Sequence, residues 1–116
     1  MEGYIMNEND GLWVVEFKSS TELNGKGVFV LNGERILGGD AGYYYSGQCK
    51  EVDGKISGEI NVIRHDHNSI SVFGEIDTFT LSIEGTMDGS VIETSATSES
   101  FPGLVMQITG SKRENL

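Results

Sequence analysis

Alternation of apolar and polar side chains, one residue in two, runs through most of this sequence and restricts it to β-structure. The clearest segment is residues 77–86, DTFTLSIEGT, where Phe79, Leu81 and Ile83 alternate with Thr78, Thr80, Ser82 and Glu84. Successive side chains of a strand point to opposite faces, so this spacing makes one apolar face and one wet face. Residues 55–64 repeat the pattern, with Ile56, Ile60 and Val62 in phase with Gly58. Trp13, Val15 and Phe17 do the same near the start, and Leu104, Met106 and Ile108 near the end. No stretch supports a helix of ordinary length at the 3.6-residue period. One short turn is expected around residues 69–74.

Turn signals divide the alternation at regular intervals. Asn32-Gly33, Asp53-Gly54 and Asp88-Gly89 each read as two-residue hairpin signals, because both residue types tolerate positive φ. Asn24-Gly25 and Gly38-Gly39 add two further breaks. The spacing predicts eight strands at 11–19, 25–31, 34–38, 42–51, 55–65, 76–86, 90–98 and 103–111. Short connections make them an antiparallel meander. Eight amphipathic strands bury their apolar face by curling closed, which also removes exposed edges. The expected fold is therefore all-β, an eight-stranded antiparallel up-and-down β-barrel, with a two-sheet β-sandwich as the alternative. Gly27, Gly47, Gly58 and Gly85 interrupt good strand sequence and are expected at bulges or tight bends. The organisation is one domain, 11–111, between an N-terminal tail, 1–10, and a C-terminal tail, 112–116.

Charge narrows the partners. Eighteen acids against eight bases give a net charge of -10 over 116 residues. Such a chain repels phosphate backbones and anionic membranes, so neither nucleic acid nor a membrane is expected as a partner. Basic proteins are attracted to it. The first ten residues lack the basic and apolar regions of a signal peptide, and no apolar run approaches the roughly 18 residues of a membrane helix. Cys49 is the only cysteine, so an internal disulfide is ruled out. Together these features give a cytoplasmic expectation.

Few residues suggest chemistry. Arg64-His65-Asp66-His67 places two histidines two apart, on one face if the strand continues that far, yet no further ligand set has metal-site spacing. Neither a nucleophile elbow nor a phosphate-binding loop is present. The expectation is a non-enzyme without cofactor or metal. An eight-stranded barrel has room for filling side chains or one small ligand. Trp13, Phe17, Phe79, Leu81 and Met106 are the expected lining of that interior, with Gly58 leaving space for a small apolar ligand. Val72 and Phe73 are expected to plug one end or guard an entrance. In GGDAGYYYSG, Asp40 suits a turn bonded to nearby backbone, and Tyr43 and Tyr45 share one face. Tyr44 takes the other, where an outward tyrosine is a candidate for contact with a partner.

The order GLW-x-V-x-F, G-x-GV, NGERILGGD, YYYSG, a D-G hairpin, R-H, SVFG and F-x-L-x-I-x-G-T resembles the GrlR-like family over about residues 11–110. GGD-x-x-YYY-x-G and SVFG are the most specific pieces. The resemblance implies a lipocalin-like barrel that tends to form homodimers and acts in negative regulation of type III secretion. It implies binding of a transcriptional activator through an acidic patch, without direct contact to DNA. In the family's founding regulator that patch is a run of four acids in the hairpin after the tyrosine strand. Here the matching stretch is Cys49 to Lys55, which departs from that run: only Glu51 and Asp53 are acidic, and Lys50 and Lys55 flank them.

Overall fold

A computed structural model describes residues 9–20, 24–68 and 77–116. These residues form eight strands: β1 (Gly11–Ser19), β2 (Asn24–Asn32), β3 (Arg35–Gly39), β4 (Tyr43–Val52), β5 (Lys55–Arg64), β6 (Thr78–Asp88), β7 (Val91–Thr97) and β8 (Met106–Asn115). Each pairs antiparallel with its neighbours in sequence, and β8 returns to β1, so the sheet is a closed barrel and not a sandwich. Closure satisfies the backbone donors and acceptors of what would otherwise be two edge strands.

The apolar phase of every strand faces inward. Trp13, Val15, Phe29, Leu31, Ile36, Ile56, Val62, Phe79, Leu81 and Ile83 are all buried, while the intervening Thr80, Ser82, Glu84 and Glu93 are exposed. This polarity is the reverse of an outer-membrane barrel, whose apolar side chains face out. Among the described residues no helix is long and apolar enough to cross a membrane.

One end of the barrel is sealed. Trp13 stacks flat on Phe29, with ring centroids 6.0 Å apart and planes 4° from parallel. Its indole N–H donates to the Asn9 carbonyl at 3.0 Å. Asp10, 1% exposed, accepts from the Gly33 backbone N–H at 2.8 Å. Asn9 and Asp10, expected to belong to a loose tail, are thus part of the closure.

The other tail is corrected as well. β8 runs to Asn115, and Trp13, Leu12 and Gly11 pair with Lys112, Glu114 and Asn115. Sequence alternation stops near Ile108, but β1 supplies an open ladder beyond it, and backbone pairing needs no apolar side chain. The strand also starts later than residue 103. Gly103 has φ +90, and the Leu104 N–H bonds the Phe101 carbonyl at 3.1 Å, so residues 101–104 turn before the strand begins.

Only one of the three hairpin signals has the expected geometry. Asp53 (φ 52) and Gly54 (φ 82) are both left-handed and form the two-residue loop between β4 and β5. In the other two hairpins, Asn32 and Asp88 are the last residues of their strands, and the loops are Gly33-Glu34 and Gly89-Ser90. There only the first loop residue, the glycine, has positive φ, so the asparagine and aspartate are free to extend the ladder.

The strand glycines are sites of close approach and not bulges. Register is unbroken at Gly27, Gly47, Gly58 and Gly85, and the one shift falls between Leu12 and Trp13. At Gly58 a Cβ would overlap the Gln48 carbonyl oxygen of β4. Missing side chains here let the wall curve tightly. The segment 69–76 lies outside the described residues, and with it the turn expected at 69–74, Val72, Phe73 and the SVFG motif.

Candidate functional site

The inward phase does not fill the barrel. A cavity of about 280 Å³ remains, running up to the end that carries the β3–β4 connection, where Asn24, Lys26 and Ala41 border it. Phe17, Phe79, Leu81 and Met106 contribute to its wall. Trp13 does not, because it lies beneath the sealed end against Phe29. Gly58 does not either, since the backbone of β4 covers its inner side. The wall is otherwise built by aliphatic side chains such as Ile60, Val62 and Ile108.

A hydrogen-bonded polar pair, Asp40 and Tyr45, stands at one end of this apolar space. The β3–β4 turn is fixed by Asp40, whose Oδ1 accepts from the backbone N–H groups of Gly42 and Tyr43, each at 2.9 Å. Its other oxygen, Oδ2, accepts from the Tyr45 hydroxyl. Tyr45 shares the inward phase of β4 with Tyr43 and Cys49, and its ring crosses over Gly27 of β2. A Cβ on Gly27 would come within 2.8 Å of the Tyr45 oxygen. Burial first, then the hydrogen bond and charge of Asp40, push the Tyr45 pKa upward, so the phenol stays protonated and keeps donating. The turn role of Asp40 was legible in sequence, but its bond to Tyr45 was not. The signal was there in part: an aspartate five residues before an inward tyrosine, with a glycine in the facing strand.

Cys49 also borders the cavity. Burial, followed by the charges of Glu34 and Glu51, raises its pKa from the usual 9.0 to about 11. Two units make the reactive thiolate about a hundredfold scarcer at pH 8. Alkylation by iodoacetamide at pH 8 is therefore expected to be at least a hundredfold slower in the native protein than in urea. Mass spectrometry of timed samples reads the rate, and prompt native labelling would contradict this placement.

The outer wall carries a second feature. Register places Val14 opposite Val28, Val28 opposite Gly39, Gly39 opposite Tyr44, and Tyr44 opposite Ile63. These positions form one row across β1–β5, and the neighbouring row adds Val30 and Leu37. Tyr44 is 47% exposed and Leu37 likewise 47%. The patch is thus a contiguous apolar strip on the outer wall, separate from the exposed Val52, Val91 and Val105.

Glu51 and Asp53 lie elsewhere. Glu51 lies seven residues beyond Tyr44 along β4, roughly 23 Å at 3.3 Å per residue, and the two have opposite phase. The Glu51 carboxylate accepts from the Gly54 N–H at 2.6 Å, so it braces its own hairpin. The structure therefore does not bring the three candidate partner residues into one site.

The histidines follow the end of β5 at Arg64 and do not share a strand face. His65 Nε2 is 3.1 Å from the Asp40 carbonyl oxygen, whereas His67 Nδ1 is 3.9 Å from Asp77. Arg64 bonds Asp77 through both Nε and a terminal nitrogen, at 3.1 and 2.8 Å. Among the described residues no three His, Cys, Asp or Glu side chains are placed to hold a metal ion.

Comparison with known proteins adds one match. No curated protein matches the sequence. A family model described as the type III secretion system negative regulator GrlR matches residues 8–112. That span includes all of β1 to β7, most of β8 and the Asp40–Tyr45 turn. With nearly the whole chain matched, this protein belongs to the GrlR family of type III secretion negative regulators.

Proposed function

We propose that the chain is a non-enzymatic regulator that works in the cytoplasm by binding a protein partner, a basic transcriptional activator, through the outer wall around Tyr44. Membership of a family of secretion regulators supports the regulatory role. The observation that carries the docking surface is the row Val14, Val28, Tyr44 and Ile63, apolar side chains turned away from the barrel interior, with Val28 and Tyr44 exposed. A half-exposed aromatic inside an apolar strip with a polar surround has the make-up of a binding hot spot. The net charge of -10 steers a basic partner toward the barrel and raises its association rate. Two copies of the chain joined through the same wall would cover it while the partner is absent. Glu51 and Asp53, at the far end of β4, add at most a peripheral charged contact in this reading.

Tyr44→Ala is expected to weaken partner binding by about 2 kcal/mol, roughly 30-fold in Kd, with the unfolding midpoint unchanged. Repression of a type III secretion reporter should fall in parallel. Reversing Glu51 and Asp53 to lysine should act mainly on the association rate and on its salt dependence. If Tyr44→Ala kept full repression and the double reversal abolished it, the docking surface would be the hairpin and the wall reading would be lost.

A second reading is favoured by the cavity of about 280 Å³. It is that the barrel also holds a small apolar ligand and reports its presence. This volume is nearly twice that of the ~150 Å³ apolar cavity known to take up benzene.

A further inference from the structure

Resting on that second reading, the chemistry of the cavity goes further and selects a head group. We propose that the barrel binds a medium-sized apolar molecule with a single hydrogen-bond-donating head, an alcohol or a primary amine, seated against Asp40 and Tyr45, and that it discriminates against carboxylic acids.

The wall of the cavity sets what a ligand can meet. Its side chains are mostly aliphatic and aromatic; the polar ones are Asn24 and Lys26 at the exposed rim, and Asp40, Tyr43, Tyr45 and Thr94. The Thr94 hydroxyl donates to the Ile108 carbonyl at 3.2 Å and is thereby engaged. The Tyr45 hydroxyl gives its proton to Asp40 Oδ2. Cys49 contributes only a weak thiol donor. On the Asp40–Tyr45 pair itself, what remains is acceptor capacity. A phenol oxygen accepts as well as donates, and each carboxylate oxygen has two lone-pair sites. Asp40 Oδ1 has both of its sites used by Gly42 and Tyr43, whereas Oδ2 has one donor, Tyr45. A ligand hydroxyl or ammonium group can donate into that remaining capacity.

A carboxylate ligand meets the opposite situation. It brings only acceptors to an acceptor-rich corner and sets a second negative charge beside the half-buried Asp40. The cations near this end do not reverse the sign. Lys26 alternates out of the inward phase of Gly25, Gly27 and Phe29. Its ammonium, on a side chain 77% exposed, lies 3.5 Å from Glu16. His65 directs Nε2 to the Asp40 backbone carbonyl. Arg64 is paired with Asp77.

The test is a set of NMR titrations of the full chain with octylamine, 1-octanol, octanoate and benzene, following amides along the inward phase of β4 to β6. Saturation by octylamine and 1-octanol is expected at concentrations at least tenfold below octanoate. In Asp40→Asn the side-chain oxygen can still cap Gly42 and Tyr43, and the charge is gone. The discrimination against octanoate should then shrink about tenfold, while benzene, which has no head group, binds both proteins alike. Octanoate binding as tightly as octylamine to the native chain would overturn the head-group inference and leave the ligand reading standing. No response to any of the four up to millimolar concentration would remove the ligand reading itself. An unchanged preference in Asp40→Asn would show that Asp40 does not set it and would also overturn the inference.

Discussion

Trp13→Ala is expected to lower the free energy of unfolding by about 3–5 kcal/mol, the range found when a large buried aromatic is truncated. Trp13 is 0% exposed and fills the sealed end of the barrel. Its removal deletes the stack on Phe29 and opens a void that the β1–β8 and β1–β2 ladders prevent from collapsing. It also strips the Asn9 carbonyl of its indole donor. At about 4 °C per kcal/mol for a domain of this size, the melting temperature should drop by roughly 12–20 °C. Urea denaturation followed by circular dichroism measures the effect, since the tryptophan signal itself is lost. Trp13→Phe, which keeps a ring against Phe29, should cost less. A loss below 1 kcal/mol for the alanine variant would mean that this end is not packed as described.

Gly58→Val should be comparably damaging for the opposite reason. Valine has the higher strand propensity, so a local argument predicts a gain. In the barrel, a Cβ at residue 58 would overlap the Gln48 carbonyl oxygen and sit 2.9 Å from the Cys49 Cα. Both obstacles are backbone and cannot rotate away. Over-packing of this kind costs about 1–3 kcal/mol and sometimes more, and the rigid neighbour puts this site at the upper end. The adjacent Ser57 supplies the control. It is exposed, with Lys50 and Glu84 opposite it on the outer wall. Ser57→Val is expected to stay within about 0.5 kcal/mol of the parent. If the two variants proved equally stable, the tight approach of β4 and β5 would be disproved.

Much of the architecture was readable because the period of two is a backbone property. Once Phe79, Leu81 and Ile83 alternate with Thr80 and Ser82, their faces follow whatever the strands pair with. The same parity correctly separated Tyr44 from Tyr43 and Tyr45. Parity was less informative where backbone pairing alone decides. β8 continues to Asn115 through Ser111 to Glu114, which carry no apolar rhythm, because β1 extends beside them. The N-terminal boundary failed for a related reason. Asp10 and Asn9 look like tail residues until the β2–β3 hairpin brings Gly33 within hydrogen-bonding distance.

The candidate sites were less legible still. Trp13, Phe17, Phe79, Leu81 and Met106 share the inward phase, but phase does not give depth along the barrel axis. Trp13 is at the plugged end, and the other four border the cavity. Glu51 and Tyr44 are seven apart on one strand, which fixes both their distance and their opposite phase once the strand is known to be continuous.

Sequence by itself determined the strand class, the inward and outward faces and the number of strands, since each of these follows from spacing within one segment. Closure into a barrel was expected from the strand pattern, but tertiary structure alone decided it against the sandwich, left about 280 Å³ unfilled, and paired Asp40 with Tyr45 at one end of that space. Those outcomes depend on curvature and on which side chains meet across the barrel. Curvature here comes from non-local approaches such as Gly58 to Gln48, and no pattern within a single strand encodes them.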